Sequence, residues 1–165
     1  MNSFHKICDR SLEMLTLGEE KKNILNFMAA EAEKLIGDHS AVSILLLDGS
    51  GLLRNGASPR LPEDYLKAID GIKPHHNIGT CAAAAATGKV VLTPDFRADN
   101  KWSELRHLPI SIGYSGAWSQ PIKTKEGKVL GTFGTYYKDI RHPSTEERTG
   151  IELLAAVAAT VLTAI

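Results

Sequence analysis

Residues 75–89 read HHNIGTCAAAAATGK and hold most of what could do chemistry in this chain. Ala82 to Ala86 follow Gly79-Thr80-Cys81 without interruption. A helix beginning near Gly79 would aim unpaired backbone N–H groups and the positive end of its dipole at whatever precedes it, an arrangement that suits an anion. Gly79 would let a ligand approach the backbone closely. Thr80 adds a hydroxyl and Cys81 a weak S–H donor. The competing reading is packing, with Thr80 or Asn77 capping the helix and the alanines letting it lie close over a sheet.

Other chemistry is poorly served by these residue types. His75, His76 and Cys81 lack a second cysteine pair or a further histidine at metal-ligand spacing, so no metal site is expected. His5 and Cys8 stand on a helix without other ligands. A Cys81 nucleophile would need a positioned base and an oxyanion hole, and only the helix start offers anything of that kind. None of the six histidines is singled out as a haem ligand, and no cofactor is expected. Arg106 is a candidate anion partner, because a guanidinium forks onto carboxylate-like groups.

The elements that must position these residues come from a chain of 165 residues, the size of one domain with one core. Its 43% hydrophobic and 23% charged content is that of an ordinary globular protein. Lys+Arg and Asp+Glu balance at 19 each, which leaves no global field to hold nucleic acid or an anionic membrane. Cys8 and Cys81 form no disulfide framework and read as reduced thiols of a cytoplasmic protein. Asp9, Arg10 and Glu13 interrupt the apolar residues of the N-terminus, so no signal peptide is read. No apolar run reaches the roughly 18 residues of a membrane span.

Phe4, Ile7, Cys8, Leu12 and Leu15 recur at helical spacing, giving an N-terminal helix over 1–17. Ile24, Leu25, Phe27, Met28, Ala32, Leu35 and Ile36 give a second, ended by Gly37. Ala41 to Leu47 and Leu52 to Ala57 then read as a hairpin across Asp48-Gly49-Ser50-Gly51. Leu61 to Ile69 is a short helix and Lys73 to Asn77 a loop before the alanine helix. Val90 to Thr93 is a strand stopped by Pro94, and Lys101 to Leu108 a helix broken by Pro109. A second hairpin joins Gly113 to Lys123 with Lys128 to Lys138. The last helix, 144–165, opens on a capping-box spacing, Ser144 with Glu147.

In that helix Ile151, Leu154, Ala158, Val161, Leu162 and Ile165 fall near a coiled-coil period. It ends without a helix-stopping Gly or Pro, as a helix continuing into an output domain or serving as a docking end would; a frayed terminal helix on its own sheet is the alternative. The order α-α-β-β-α-α-β-α-β-β-α describes one α+β domain over 1–165. Its central antiparallel sheet carries the terminal helices on one face, with short helices and loops on the other. Both terminal helices hold more apolar residues than one sheet face needs. A homodimer through Phe4 to Leu15 and Ile151 to Ile165 is therefore expected, and Leu154→Glu is expected to split it.

From about Lys21 onward the chain resembles a bacterial GAF domain. The matching pieces are LLLDGSGLLRNGASPRLPEDYLKAIDG, IGTCAAAAATGKVVLTPDFRADNKW, YSGAWSQPIKTKEGKVLGTFGTYY and the helix start RHPSTEE. The resemblance implies a sensory module of signal transduction, of the kind attached to histidine kinases of two-component systems, cyclic-di-GMP enzymes and transcription regulators. It implies a small-molecule pocket between the sheet and the short-helix face, and pairing through the terminal helices. The pocket is expected at Gly79, Thr80 and Cys81. Trp102, Leu105, Arg106, Ile110, Ile112, Tyr114, Trp118 and Ser119 are expected opposite, with core packing as the alternative role for each, and for Arg106 a solvated helix face.

A small anion or carboxylate is the expected ligand, nitrate first, since the resemblance extends to stand-alone GAF proteins that sense nitrate. Cyclic nucleotides suit the bulky walls less well. The free methionine sulfoxide reductases, an enzymatic branch of the family, use several cysteines near the pocket. Here Cys81 stands there alone, with Cys8 on the outer helix, and Ala82 after Cys81 departs from a bilin-attaching Cys-His pair. The expectation is a sensor that is not an enzyme. A Cys81-dependent sulfur-redox enzyme and a ligand-free dimerisation domain are the alternatives.

Overall fold

The change from helical periodicity to a short run of β-branched residues and leucines after Gly37 marks the entry into the sheet. The computed structural model describes residues 3–165. Helices α1 (Ser3–Thr16) and α2 (Lys21–Ile36) lead into strands β1 (Ser40–Leu47) and β2 (Leu53–Ala57). Short helices α3 (Glu63–Ile69) and α4 (Cys81–Thr87) precede β3 (Val91–Thr93), and a 3-10 turn (Asn100–Trp102) precedes α5 (His107–Ser111). Strands β4 (Gly116–Lys123) and β5 (Val129–Tyr137) follow, then α6 (Thr145–Thr163). The five strands lie in the order β2-β1-β5-β4-β3 with every neighbouring pair antiparallel, an α+β architecture.

Strand pleating divides the core in two, because successive side chains point to opposite faces. Val42, Ile44, Trp118, Ile122, Phe133 and Tyr137 share one cluster with α1, α2 and α6. Ala41, Ala117 and Tyr136 join α3 and the 96–114 segment on the other face, and Leu45 joins Ala82 and Ala85 of α4. The terminal helices therefore cover one face, and short helices and loops cover the other.

Helix α6 begins as its sequence requires. The Ser144 hydroxyl accepts the Glu147 N–H at 3.0 Å, and the Glu147 carboxylate accepts the Ser144 N–H at 3.2 Å. Satisfying two otherwise orphaned donors fixes the helix start. Leu154, however, is fully buried against the sheet. It is a core residue, so Leu154→Glu would unfold the domain rather than split a dimer.

Three local expectations are corrected. On α1 the buried stripe runs Phe4, Ile7, Cys8, Ser11, while Leu12 is 38% exposed. That stripe is the i, i+3, i+4, i+7 face, and Ser11 is accommodated in it because its hydroxyl donates to the Ile7 carbonyl at 2.7 Å. Pro109 does not break a helix; it sits at the third residue of α5. A first-turn N–H has no intrahelical partner to lose, so proline is tolerated there. The alanine helix starts at Cys81 rather than near Gly79 and is seven residues long.

Glu33 of α2, which the sequence did not single out, is buried between α2 and β1. Its Oε2 accepts the Val42 N–H at 2.8 Å, and its Oε1 lies 3.6 Å from Arg60 Nε. Among the described residues no helix is long and apolar enough to cross a membrane.

Candidate functional site

Four of the five alanines are explained by how closely α4 lies on β4 and β5, while Ala86 is exposed. A Cβ built on Gly134 of β5 would stand 2.8 Å from the Cys81 sulfur, so Gly134 leaves room for that side chain. Ala82, Ala83, Ala84 and Ala85 are buried in turn. Side chains ending at Cβ let the helix approach the strands at this distance, and packing accounts for them.

The start of α4 nevertheless borders a cavity of about 30 Å³, room for one or two waters. Leu45, Leu53, Ile69, Ile72, Ala82 and Leu105 give it apolar walls, with exposed Ile78 at the rim. Its polar groups are Thr80, Cys81, Trp102, Tyr65 and Tyr136. Among the described residues no Lys, Arg, His, Asp or Glu lines it.

Each polar group has a defined state. The Trp102 indole N–H donates to Thr80 Oγ1 at 2.8 Å, and Thr80 Oγ1 donates to Thr93 Oγ1 at 2.9 Å. That engagement leaves Thr80 with no side-chain bond to cap α4. The Tyr65 and Tyr136 hydroxyls share a hydrogen bond of 2.8 Å. Burial pushes both phenols well above their ordinary range, so they stay neutral. Burial also pushes the Cys81 thiol up, against the opposing pull of the Ser119 and Thr132 hydroxyls. Ser119 Oγ and Thr132 Oγ1 are buried without a well-formed hydrogen bond.

The expected site residues separate into three groups. Gly79, Thr80, Cys81, Trp102 and Leu105 come together on the cavity wall, and Ser119 lies beneath the Cys81 sulfur. Ile110, Ile112 and Tyr114 pack in the same cluster one layer further out, where the Tyr114 ring meets Tyr136 edge-on at 5.6 Å. Two residues face elsewhere. Trp118 points to the terminal-helix face, donating its indole N–H to Tyr137 Oη at 3.0 Å. Arg106 is turned onto the loop, where its Nη1 donates to the Arg97 carbonyl at 2.7 Å and its Nε to the Trp102 carbonyl at 3.3 Å.

Gly79 has φ +65°, a conformation that L side chains rarely adopt. A Cβ there would meet only Trp102 Cζ2, at 3.9 Å, so backbone conformation rather than close ligand approach calls for glycine. Its N–H donates to the Lys101 carbonyl at 2.9 Å. Together with the shortness of α4, this weakens the helix-terminus anion site. Sequence reasoning missed Tyr65 and Tyr136. Alternation along β5 places Tyr136 opposite Tyr137 but does not say which of the two faces the cavity.

A family model described as GAF domain matches residues 19–163. Over 139 residues the chain is 33% identical to the methyl sulfide methyltransferase-associated sensor of Methanosarcina acetivorans, an alignment covering 84% of this chain and 14% of that protein. Among solved structures it is similar to the GAF domain of a phosphoenolpyruvate-protein phosphotransferase from Coxiella burnetii. That likeness has a TM-score of 0.77 at 15% identity, over 97% of this chain and 92% of the other. It is also similar to the free methionine-R-sulfoxide reductase of Neisseria meningitidis, solved with its substrate, with a TM-score of 0.75 at 16% identity over 96% and 85% of the two chains. Likeness at such identity speaks for the fold, and the family match takes in all five strands with α2 to α6. The chain belongs to the GAF domain family and is homologous to a sensor protein.

Proposed function

We propose that this domain is the ligand-sensing part of a signalling protein, and that its ligand is a small, uncharged, mostly apolar molecule held without turnover. The observation that carries this is the cavity: small and apolar-walled, with no charged side chain among the described residues that line it, and with the Thr80 hydroxyl, the Trp102 indole, two neutral phenols and a thiol as its polar groups. Burying an ion where no counter-charge faces it costs several kcal/mol. The expected nitrate or carboxylate is therefore less well served than a neutral molecule. A cyclic nucleotide would need the Trp102 wall to move.

Dimethyl sulfide, small, neutral and mostly apolar like the cavity walls, is the first probe; nitrate, succinate and cyclic GMP are the others. The reading expects dimethyl sulfide to shift the NMR signals of Tyr65, Tyr136 and Leu105 at millimolar concentration. Saturable binding of nitrate or succinate alone would restore the anion reading.

The reductase-like fold and Cys81 on the cavity wall raise a sulfur-redox reading. Cys8 lies in the terminal-helix cluster and Cys81 on the other face of the sheet, so the two cannot form a dithiol pair. Methionine sulfoxide turnover that disappears in Cys81→Ala would reinstate it.

Output through an attached histidine kinase or cyclic-di-GMP domain is part of the same proposal; the Methanosarcina sensor is itself much longer than the segment that matches. Pairing through α1 and α6 also belongs to it. Leu12 and Leu17 are exposed, at 38% and 67%, and Leu153 and Val157 of α6 are half-buried. Light scattering that finds a strict monomer at high micromolar concentration argues against pairing, and Leu12→Glu is the substitution that should split a dimer.

A further inference from the structure

We infer that Tyr137 couples the cavity to the first turn of α6, so that a change at Tyr136 on one face of the sheet is read by a terminal helix on the other. The inference rests on the cavity being the ligand site and gives that site a route to its output.

Tyr136 and Tyr137 are consecutive on β5, and the pleat sends them to opposite faces. Tyr136 lines the cavity, bonded to Tyr65. Tyr137 is fully buried on the terminal-helix face. Its hydroxyl accepts the Trp118 indole N–H at 3.0 Å and donates to Glu147 Oε1 at 2.7 Å. The same Glu147 oxygen accepts Arg141 Nη2 at 2.7 Å and the Ser144 N–H at 3.2 Å. The Arg141 guanidinium also lies 4.2 Å over the Tyr137 ring.

Three donors thus converge on one carboxylate oxygen at the N-cap of α6, and the one supplied by the sheet is a buried phenol. Hydrogen bonds to an ionised group are roughly twice as strong as neutral ones, so Tyr137 is a firm link between β5 and the helix start. A strand rotating about its own axis swings consecutive side chains in opposite directions. Accommodating a molecule against Tyr136 would therefore move the Tyr137 hydroxyl relative to Glu147. The carboxylate that loses this donor is also the reciprocal half of the capping box, which decides where α6 begins. Coupling between two sites needs such an element whose arrangement both sites bias.

The test uses the whole chain and needs no ligand. Tyr136→Phe keeps the ring and removes only the hydroxyl shared with Tyr65. Hydrogen exchange is read at the amides of residues 148–152 of α6, relative to those of 24–29 in α2, in wild type, Tyr136→Phe, Tyr137→Phe and the double variant. The relay expects Tyr136→Phe to change the α6 rate by about two- to thirtyfold relative to α2, the span of such couplings. The Tyr137→Phe background should erase that response. An unchanged α6 rate, an equal change in both helices, or a response that persists with Phe at 137 overturns the relay. Dimethyl sulfide added to wild type separates the two readings: binding without an α6 response defeats the relay alone. Absence of binding defeats the ligand reading, while the substitutions still decide the relay.

Discussion

The indole N–H of Trp102 donates to the Thr80 hydroxyl at 2.8 Å, and that hydroxyl in turn donates to Thr93 Oγ1 at 2.9 Å. One buried oxygen thus fixes the aromatic wall of the cavity, the residue before α4 and the end of β3. The hydroxyl that the sequence offered to a ligand is engaged in holding the site together.

Thr80→Val keeps the shape and removes both bonds. It strands a buried indole N–H, and such a loss costs about 1–3 kcal/mol. Urea unfolding should show that loss, and acrylamide should quench tryptophan fluorescence more readily than in wild type. Trp118 is fully buried on the other face, so the added quenching reports Trp102. Unchanged stability and unchanged quenching would mean that this bond does not hold the wall.

Element order was legible in the sequence because the period changes sharply at Gly37, and because Ser144 and Glu147 announce α6. The cavity was half legible. The glycine-led start of α4 and the Trp102–Leu105 segment could be placed beside each other by their position between strands. Trp118 could not be assigned a face, because β4 is buried on both sides and apolar residues occupy both sets of alternate positions. The Tyr136-Tyr137 pair poses the same problem, with an aromatic ring on each face. Arg106 was misplaced because the carbonyls that capture it belong to an irregular loop whose path no periodicity describes. Glu33 was overlooked because one carboxylate in an apolar stripe is visible, but the Val42 N–H that it meets is not.

Gly150 lies inside α6, where alanine would ordinarily improve an exposed helix by about 1 kcal/mol. Here a Cβ would run into the Phe4 ring of α1. Gly150→Ala should therefore destabilise the domain by about 1–3 kcal/mol, as overpacking does. Phe4→Leu should recover part of that loss in the double variant. A Gly150→Ala protein that melts higher than wild type would show that α1 does not rest on α6 in this way.

Both cysteines should be sluggish. Burial pushes the Cys8 thiol up, helped by nearby Asp9, and burial does the same at Cys81. The thiolate is the reactive form, and a raised pKa leaves less of it at neutral pH. Labelling by a disulfide reagent at pH 7 should be slower than for free cysteine at both positions. Mild oxidation should leave both thiols titratable, since the sheet separates them. Rapid labelling lost in Cys81→Ala would point instead to an activated thiol.

Glu33 offers a pH test with a definite sign. The carboxyl is buried, and desolvation raises its pKa above the ordinary glutamate range despite the Val42 N–H and Arg60. A raised folded-state pKa means that the native protein holds the proton more tightly than the unfolded chain. The stability this confers is fully present below the unfolded pKa and is lost as pH rises through the folded one. Glu33→Gln keeps an oxygen for the Val42 N–H and has no proton to lose. The stability of wild type relative to Glu33→Gln should therefore fall as pH climbs out of the acid range, leaving the variant equal or more stable at pH 7. Glu33→Ala, which leaves the Val42 N–H buried and unpaired, should cost about 1–3 kcal/mol. Denaturant unfolding of the three proteins between acid and neutral pH measures this directly. A gap between wild type and Glu33→Gln that stays constant, or widens in favour of wild type as pH rises, would show that the ionised carboxylate is stabilised by Arg60 more than burial penalises it.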